Sequence, residues 1–217
     1  MKDILLFDLD GTLFNTKPGI VNCVQYALAF YGIHEDNPDT LEKFIGPPLH
    51  KSFQMFYGFD EKKSSEAAAK YRERYKDEGI FECTPYEGIE DMLCDLKSKG
   101  KTLGVATSKP EIFALRILKK FKLDTYFTRV TGSLLDNTRS LKTDVIEEEL
   151  SRLNASDKRD RVLMIGDREH DISGARETKL SSVGVYYGFA KEGELEAAGA
   201  DYIVQTVNEL HKLLLSI

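Results

Sequence analysis

The chain has 217 residues and a formal net charge of −6 at pH 7. That length suits one medium domain, or a domain plus a small insert, and the contents of 41% hydrophobic and 30% charged residues are ordinary for a globular protein. Acidic and basic residues are interspersed without a basic stripe, which argues against a nucleic-acid polymer as partner. The sequence has no apolar stretch near the ~20 residues of a membrane span, and its cysteines are few and widely spaced. We therefore expect a cytoplasmic protein with no membrane partner, present as a monomer or a weak homodimer.

The first predicted element is a short buried strand over residues 4–7, and two carboxylates follow it directly. Strand alternation points Asp8 and Asp10 toward the same side, and Gly11 lets the chain turn away sharply. Two like charges held this close are costly unless a cation lies between them or they share a proton. The segment therefore predicts a metal site with one nucleophilic carboxylate and one proton carrier.

Residues 15–84 lack a convincing strand and carry two helical stripes of apolar residues, at 20–31 and 67–75. This pattern predicts a helical insert, residues 15–84, that is placed directly after the first strand. The core of the protein then consists of residues 1–14 and 85–217.

Short apolar runs alternate with helical patterns from residue 86 onward. The predicted strands lie at 103–106, 127–131, 162–165, 183–185 and 202–204. Strands that alternate with helices favour an α/β fold, and here we expect a Rossmann-like, doubly wound parallel sheet.

Polar side chains follow several of these strands, and the carboxyl ends of parallel strands meet at one edge of a sheet. They are Asp8 and Asp10, Thr107 and Ser108, Lys142, and Asp167 and Asp171. Carboxylates suit Mg²⁺, and hydroxyl, amide and ammonium groups suit the oxygens of a phosphoryl group. The set predicts phosphoryl transfer to an aspartate.

In this order the four groups resemble the four motifs of the haloacid dehalogenase superfamily of phosphatases. The helical insert is similar to the cap of its phosphoglycolate phosphatase-like branch, and the loop at Gly46 resembles the cap loop of that branch. Residues 132–136 and 139–142 resemble a bacterial subgroup often described as 5′-nucleotidases. The resemblance implies an enzyme, a phosphoric monoester hydrolase that acts on a small phosphate ester.

The resemblance also implies roles for the acidic residues. Asp8 would attack phosphorus and form an aspartyl-phosphate, and Asp10 would protonate the leaving alcohol and then deprotonate the water. The metal would be Mg²⁺, held by Asp8, the backbone carbonyl of Asp10 and Asp167, with Asp171 as a ligand or beside one.

The remaining residues implied by the resemblance would bind the substrate. The Thr107 hydroxyl and the Ser108 amide would hold the phosphoryl oxygens, and Lys142 would neutralise the charge of nucleophile and phosphoryl group. The Gly46 loop of the cap would contact the leaving group. Phosphoglycolate and nucleoside monophosphates are the leading candidate substrates.

Two other functions stay open from the residues alone. A phosphomutase of the β-phosphoglucomutase type would return the phosphoryl group to a sugar instead of to water. A non-catalytic phospho-acceptor module would also use an acidic pocket, a hydroxyl and a lysine, but Asp10 beside Asp8 argues for rapid loss of the phosphoryl group.

Three charged residues near the motifs have unassigned roles. Lys109 either touches phosphate or is solvated in a loop, and Arg168 either reaches the substrate or pairs with Glu169 or Glu177. His170 is expected to orient its loop, because Mg²⁺ favours oxygen ligands.

Overall fold

The computed structural model describes residues 2–136 and 138–217. The chain forms two compact units, one from the residues up to Asn15 together with Pro85–Ile217, and the other from Thr16–Thr84. Two-residue strands at Phe14–Asn15 and Thr84–Pro85 pair where the chain passes from one unit to the other.

The first unit contains a parallel sheet of six strands within the described part of the chain. The strands are β1 (Ile4–Phe7), β2 (Thr102–Pro110), β3 (Arg129–Ser133), β4 (Val162–Gly166), β5 (Ser181–Val185) and β6 (Tyr202–Val204). Their spatial order is β3-β2-β1-β4-β5-β6, so the chain reverses direction across the sheet between β1 and β4. The crevice outside the strand ends at such a reversal is where doubly wound sheets bind ligands.

Nine α-helices are found in the described residues. They are α1 (Lys17–Ala29), α2 (Leu49–Tyr57), α3 (Glu61–Tyr75), α4 (Ile89–Ser98), α5 (Glu111–Lys120), α6 (Lys142–Arg152), α7 (Glu169–Glu177), α8 (Glu194–Ala198) and α9 (Val207–Ser216). The first three belong to the Thr16–Thr84 unit, which also carries 3₁₀ turns at Pro38–Phe44 and Gly79–Phe81. Over the described ranges, every helix is too short or too polar to cross a bilayer.

The α/β fold expected from the sequence is confirmed, and continuous apolar strands explain it. All four residues of β1 are buried, as are all five of β4, because helices cover both faces of the sheet. Several strand boundaries differ from the prediction, most of all at the second and third strands. The second strand continues through Thr107 to Pro110, and the third begins at Arg129 because a 3₁₀ turn at Asp124–Tyr126 precedes it.

Helix α6 lies against β2 and β3, and its first residue is Lys142. Val145, Ile146 and Leu150 of this helix join a buried apolar cluster with residues of β1, β2 and β4. This packing fixes the first turn of α6 at the carboxyl ends of the strands, where the polar residues of the motifs lie.

Candidate active site

Asp8 is the first residue beyond β1, and the sheet register places it beside the end of β4. Phe7 pairs with Ile165, and the Asp8 amide donates to the Ile165 carbonyl at 2.8 Å. Asp167 follows β4 directly, so the two carboxylates begin from adjacent positions on neighbouring parallel strands. Strand pairing therefore brings together two residues that are far apart in the sequence.

Three buried carboxylates meet at this edge of the sheet: Asp8, Asp167 and Asp171. One oxygen of each lies within 4.8 Å of the others, which is the spacing of ligands around a single ion. Asp10 is not part of this group through its side chain, so its predicted contribution to a metal site depends on its backbone carbonyl.

Lys142 supplies the cation beside these carboxylates. Its Nζ lies 2.7 Å from Oδ1 of Asp8 and 2.6 Å from Oδ1 of Asp171, and it donates to the Ala106 carbonyl at 3.0 Å. These three acceptors match the three N–H groups of an ammonium. Burial opposes the charged form of Lys142, but the Asp171 and Asp8 carboxylates outweigh burial and raise its pKa.

Asp8 and Asp171 contact the Lys142 ammonium, whereas the described hydrogen bonds of Asp167 come from neutral donors. Asp167 accepts from the Thr12 hydroxyl at 3.3 Å and from the Phe189 amide at 2.8 Å. Burial, together with the charges of Asp171 and Asp8, raises its pKa well above the ordinary value. A divalent cation would reverse this effect, because an adjacent positive charge favours the ionised carboxylate.

The two backbone segments that pack against Asp167 require glycine at the points of contact, Gly11 and Gly188. Gly11 has a φ of +81°, and a Cβ built on it would lie 2.0 Å from Oδ2 of Asp167. On the opposite side, a Cβ on Gly188 would lie 2.2 Å from the Gly11 carbonyl oxygen. The backbone therefore closes around the carboxylate at distances that a side chain would prevent.

Asp171 has a different environment, although it is equally buried. Its Oδ2 accepts from the Arg168 amide at 3.1 Å at the start of α7, while its Oδ1 contacts Lys142. Burial raises its pKa and the Lys142 charge opposes that rise. A Cβ on Gly166 would lie 2.2 Å from the Asp171 Cβ, so this aspartate packs directly on the end of β4.

The donor set fits Mg²⁺. When all three carboxylates of the group are ionised, the single ammonium of Lys142 leaves two negative charges uncompensated. Oxygen atoms of carboxylates are the ligands that Mg²⁺ prefers, and one divalent ion would balance the remaining charge. The fit depends on the carboxylate oxygens and on their negative charge, which the single positive charge of Lys142 does not neutralise.

Asp10 is paired with Lys109, a residue whose burial could not be predicted from the sequence. Nζ of Lys109 lies 3.0 Å from Oδ2 of Asp10, and the lysine side chain is only 5% exposed. The alternative that Lys109 is solvated in a loop is therefore wrong. The other oxygen of Asp10, Oδ1, is buried without a hydrogen-bond partner among the described residues, so it can still accept or donate a proton.

Thr107 and Ser108 lie in the last part of β2, at the same edge of the sheet. Thr107 is buried and its hydroxyl accepts from the Lys109 amide at 3.2 Å, while Ser108 is half-buried. Gly46 belongs to the other unit, between a 3₁₀ turn and α2, where its φ is +104°. Its predicted contact with a substrate stays a prediction.

Arg168 and His170 do not join the carboxylate group. Nε of Arg168 donates to Oε1 of Glu194 at 2.7 Å, and that oxygen also accepts from the Glu169 amide at 3.0 Å. The expected partners Glu169 and Glu177 do not provide this ion pair, because α8 brings the Glu194 carboxylate to the start of α7. His170 is exposed on the first turn of α7.

Comparison with known proteins identifies the pattern. Residues 5–185 match the family model for haloacid dehalogenase-like hydrolases. The chain is 45% identical over 193 residues to a 5′-nucleotidase of Pseudomonas aeruginosa, which covers 89% of this chain and 86% of that protein. It is 32% identical over 213 residues to the tyrosine-protein kinase PtkA of Mycobacterium tuberculosis, covering 97% of this chain and 72% of that protein. A solved structure of a predicted phosphatase from Clostridium acetobutylicum has a TM-score of 0.94 at 46% identity, with both chains covered over 100%.

Proposed function

This chain belongs to the haloacid dehalogenase-like hydrolase family and is a phosphatase, and from that premise we propose that it hydrolyses small phosphate monoesters through an aspartyl-phosphate on Asp8, with Mg²⁺ as cofactor. The observation that carries the proposal is the position of Lys142. Its Nζ contacts Asp8 and Asp171 within a group of three buried carboxylates. A nucleophilic carboxylate, a fixed cation and an uncompensated acidic group beside it are what phosphoryl transfer to an aspartate requires.

Both steps of the proposed reaction use Asp8 and Asp10. An oxygen of Asp8 attacks phosphorus, the bond to the ester oxygen breaks, and Asp10 gives its proton to the departing alkoxide. The Asp10 carboxylate then takes a proton from water, the resulting hydroxide attacks phosphorus, and the bond to Asp8 breaks. The burial of Asp10 Oδ1 without a partner supports this assignment, because that oxygen has no competing protein donor among the described residues.

Lys142 and the residues at the end of β2 would stabilise the negative charge that develops on the carboxylate and phosphoryl oxygens during both steps. The ammonium of Lys142 stays beside Asp8, so it stabilises the negative charge shared between the carboxylate and the phosphoryl oxygens. The Thr107 hydroxyl and the Ser108 amide would donate to those oxygens. When bound, Mg²⁺ would supply positive charge that stabilises the negative charge of the phosphoryl group.

Asp8, Asp167 and the backbone carbonyl of Asp10 are the residues that we assign to the metal. Asp171 would act beside them, because its two oxygens already contact Lys142 and the Arg168 amide. In this assignment Asp171 keeps Lys142 oriented and Asp167 carries the charge that the ion neutralises.

For the substrate we propose a nucleoside 5′-monophosphate, with phosphoglycolate as the second candidate. The similarity to the Pseudomonas 5′-nucleotidase at 45% identity supports the nucleotide. The Gly46 loop of the helical unit would contact the leaving group. A phosphomutase remains the alternative, since it would use the same core residues and differ only in the acceptor.

The test is release of inorganic phosphate from a panel of nucleoside monophosphates, phosphoglycolate and glucose phosphates, with Mg²⁺ or with EDTA. We expect Mg²⁺-dependent turnover of at least one nucleotide and no interconversion of glucose phosphate isomers. Asp8→Asn should abolish turnover, whereas Asp10→Asn should reduce it by about 10²–10⁴-fold, the usual contribution of general acid–base catalysis. Asp3→Asn, at the other end of β1, is the matched control and should retain activity. Full activity of Asp8→Asn, or full activity in EDTA, would contradict the proposal.

A further inference from the structure

Residues 138–141 lead directly into Lys142, and Arg139 in this segment binds three parts of the core unit. Nε of Arg139 donates to the Gly132 carbonyl at 2.8 Å, and Nη2 donates to Oε2 of Glu111 at 2.7 Å. Nη1 lies 3.6 Å from Oε1 of Glu148. The Arg139 side chain is only 13% exposed, while the Glu111 and Glu148 side chains are 24% and 39% exposed.

The partners of Arg139 lie next to the substrate-binding residues in the chain. Glu111 begins α5, directly after the strand that carries Thr107 and Ser108. Glu148 lies on α6, whose first residue is Lys142. One guanidinium therefore connects the segment that precedes Lys142 with the segment that follows Ser108.

Close packing makes this connection rigid. A Cβ on Gly132 would lie 2.6 Å from the Glu111 Cα, so the end of β3 and the start of α5 touch through their backbones. The Gly132 amide also donates to Oε2 of Glu111 at 3.3 Å. Movement of residues 138–141 would require Arg139 to leave acceptors that are themselves fixed.

We propose that Arg139 is a positioning residue of the phosphatase site, which holds Lys142 and the Thr107–Ser108 segment at a fixed separation around the phosphoryl group. The inference rests on the proposed function, because it assigns Lys142 to the transferring phosphoryl group. Arg139 does not touch the reacting atoms. It acts through the acceptors Gly132, Glu111 and Glu148, and a planar guanidinium suits this task because it offers donors in several fixed directions.

Arg152 provides a matched control within the same network. Its Nη1 donates to Oε2 of Glu111 at 2.9 Å and its Nε donates to Oε1 of Glu148 at 2.8 Å. Arg152 thus shares both carboxylates with Arg139, but among the described residues it does not contact residues 138–141. Replacing either arginine removes one positive charge from the same pair of acids, and only one replacement releases the segment that leads to Lys142.

The experiment compares Arg139→Ala, Arg139→Lys and Arg152→Ala in steady-state assays with the best ester of the panel. We expect kcat of Arg139→Ala to fall about 10–100-fold, the range found when residues that orient metal ligands are replaced, and kcat of Arg152→Ala to stay within about threefold. Arg139→Lys should keep most of the defect, because one ammonium cannot span the three acceptors. The Mg²⁺ concentration that gives half-maximal activity should be unchanged in all three variants, since the acceptors of Arg139 and Arg152 include none of the residues that we assign to the metal.

Each other outcome has a distinct meaning. Equal losses of kcat in Arg139→Ala and Arg152→Ala would overturn the positioning role, because the network would then act only through general stability. A parallel rise in the Mg²⁺ requirement of Arg139→Ala would also overturn it, since the whole site would have loosened. A wild-type protein without turnover of any ester would refute the proposed function and this inference together, whereas an active wild type with an unaffected Arg139→Ala refutes only the inference.

Discussion

Glu149→Gln should stabilise this protein at pH 8 and have little effect near pH 4.5. Glu149 is fully buried on α6, where its Oε2 accepts a hydrogen bond from the Thr131 hydroxyl. Its Oε1 has no hydrogen-bond partner within the described residues, and it faces the backbone of β2, where a Cβ on Gly104 would lie 2.4 Å away. Burial raises the pKa of this carboxyl from its ordinary value of 4.5 to about 7.

The size of the effect follows from that difference. The bond from Thr131 and the positive charges of Arg152 and Arg129 favour the ionised form, and Glu111 disfavours it, but burial is the largest influence. A change of one in pKa corresponds to about 1.4 kcal/mol. Raising the pKa from 4.5 to about 7 therefore makes the ionised form cost about 3 kcal/mol in the folded state.

The sign is set by which state holds the proton. Below pH 4.5 the folded and unfolded states are both protonated, so Glu149 carries no penalty. Between pH 4.5 and about 7 the unfolded chain releases the proton while the folded chain keeps it, so stability falls as the pH rises. Above pH 7 the loss is complete. Gln resembles the neutral acid and retains an oxygen that can accept from Thr131.

Thermal unfolding followed by circular dichroism, in EDTA at several pH values from 4.5 to 8, measures the effect. A gain of about 3 kcal/mol corresponds to a rise in Tm of about 6–12 °C at pH 8 for a chain of this size. Glu147→Gln is the matched control on the same helix, because Glu147 is exposed and the bond from Arg159 lowers its pKa. That substitution should not stabilise the protein at any pH. A Glu149→Gln variant whose Tm matches the wild type at pH 8, or exceeds it equally at every pH, would refute the reasoning.

Two further substitutions test the acidic site. Asp167→Asn should raise the Tm in EDTA at neutral pH, because it removes a buried charge that Asp8 and Asp171 disfavour, and it should abolish the rise in Tm on adding Mg²⁺; a Mg²⁺ shift equal to that of the wild type would exclude Asp167 as a ligand. Gly11→Ala should cost at least about 1–3 kcal/mol from its left-handed backbone alone, and more from the contact with Asp167, so its Tm should fall in thermal scans; an unchanged Tm would mean that the turn is not as tightly packed as described.

The sequence was sufficient to predict the sheet and the meeting of the motif residues. Apolar runs predict parallel strands, and the carboxyl ends of those strands share an edge. Asp8 and Asp167 follow adjacent strands β1 and β4, and Lys142 begins a helix that packs on the same sheet. Residues at strand ends are therefore predictable as a group, because the fold itself brings them together.

Contacts between side chains of distant elements were not predictable in the same way. The pairing of Arg168 with Glu194 depends on where α8 lies relative to α7, which no local pattern encodes. The burial of Lys109 beside Asp10 depends on the extension of β2 beyond Thr107. The burial of Glu149 could not be predicted from its residue type, because glutamate is usually exposed. Its helix does show an apolar stripe at Val145, Ile146 and Leu150.

Helix α6 carries two buried ionisable residues, Lys142 and Glu149. The charge of Lys142 is well compensated by hydrogen-bond partners, and the charge of Glu149 is not. They are seven residues apart, so they lie on one face but about 10 Å apart along the axis, beyond direct contact. Lys142 donates to three acceptors, whereas Glu149 accepts from Thr131 alone among its described partners. The charge of Lys142 is therefore stabilised in place, while that of Glu149 costs stability without reaching the site. Glu149→Gln should consequently raise Tm at pH 8 with kcat unchanged, and a fall in kcat would show that Lys142 depends on Glu149 through the packing of α6.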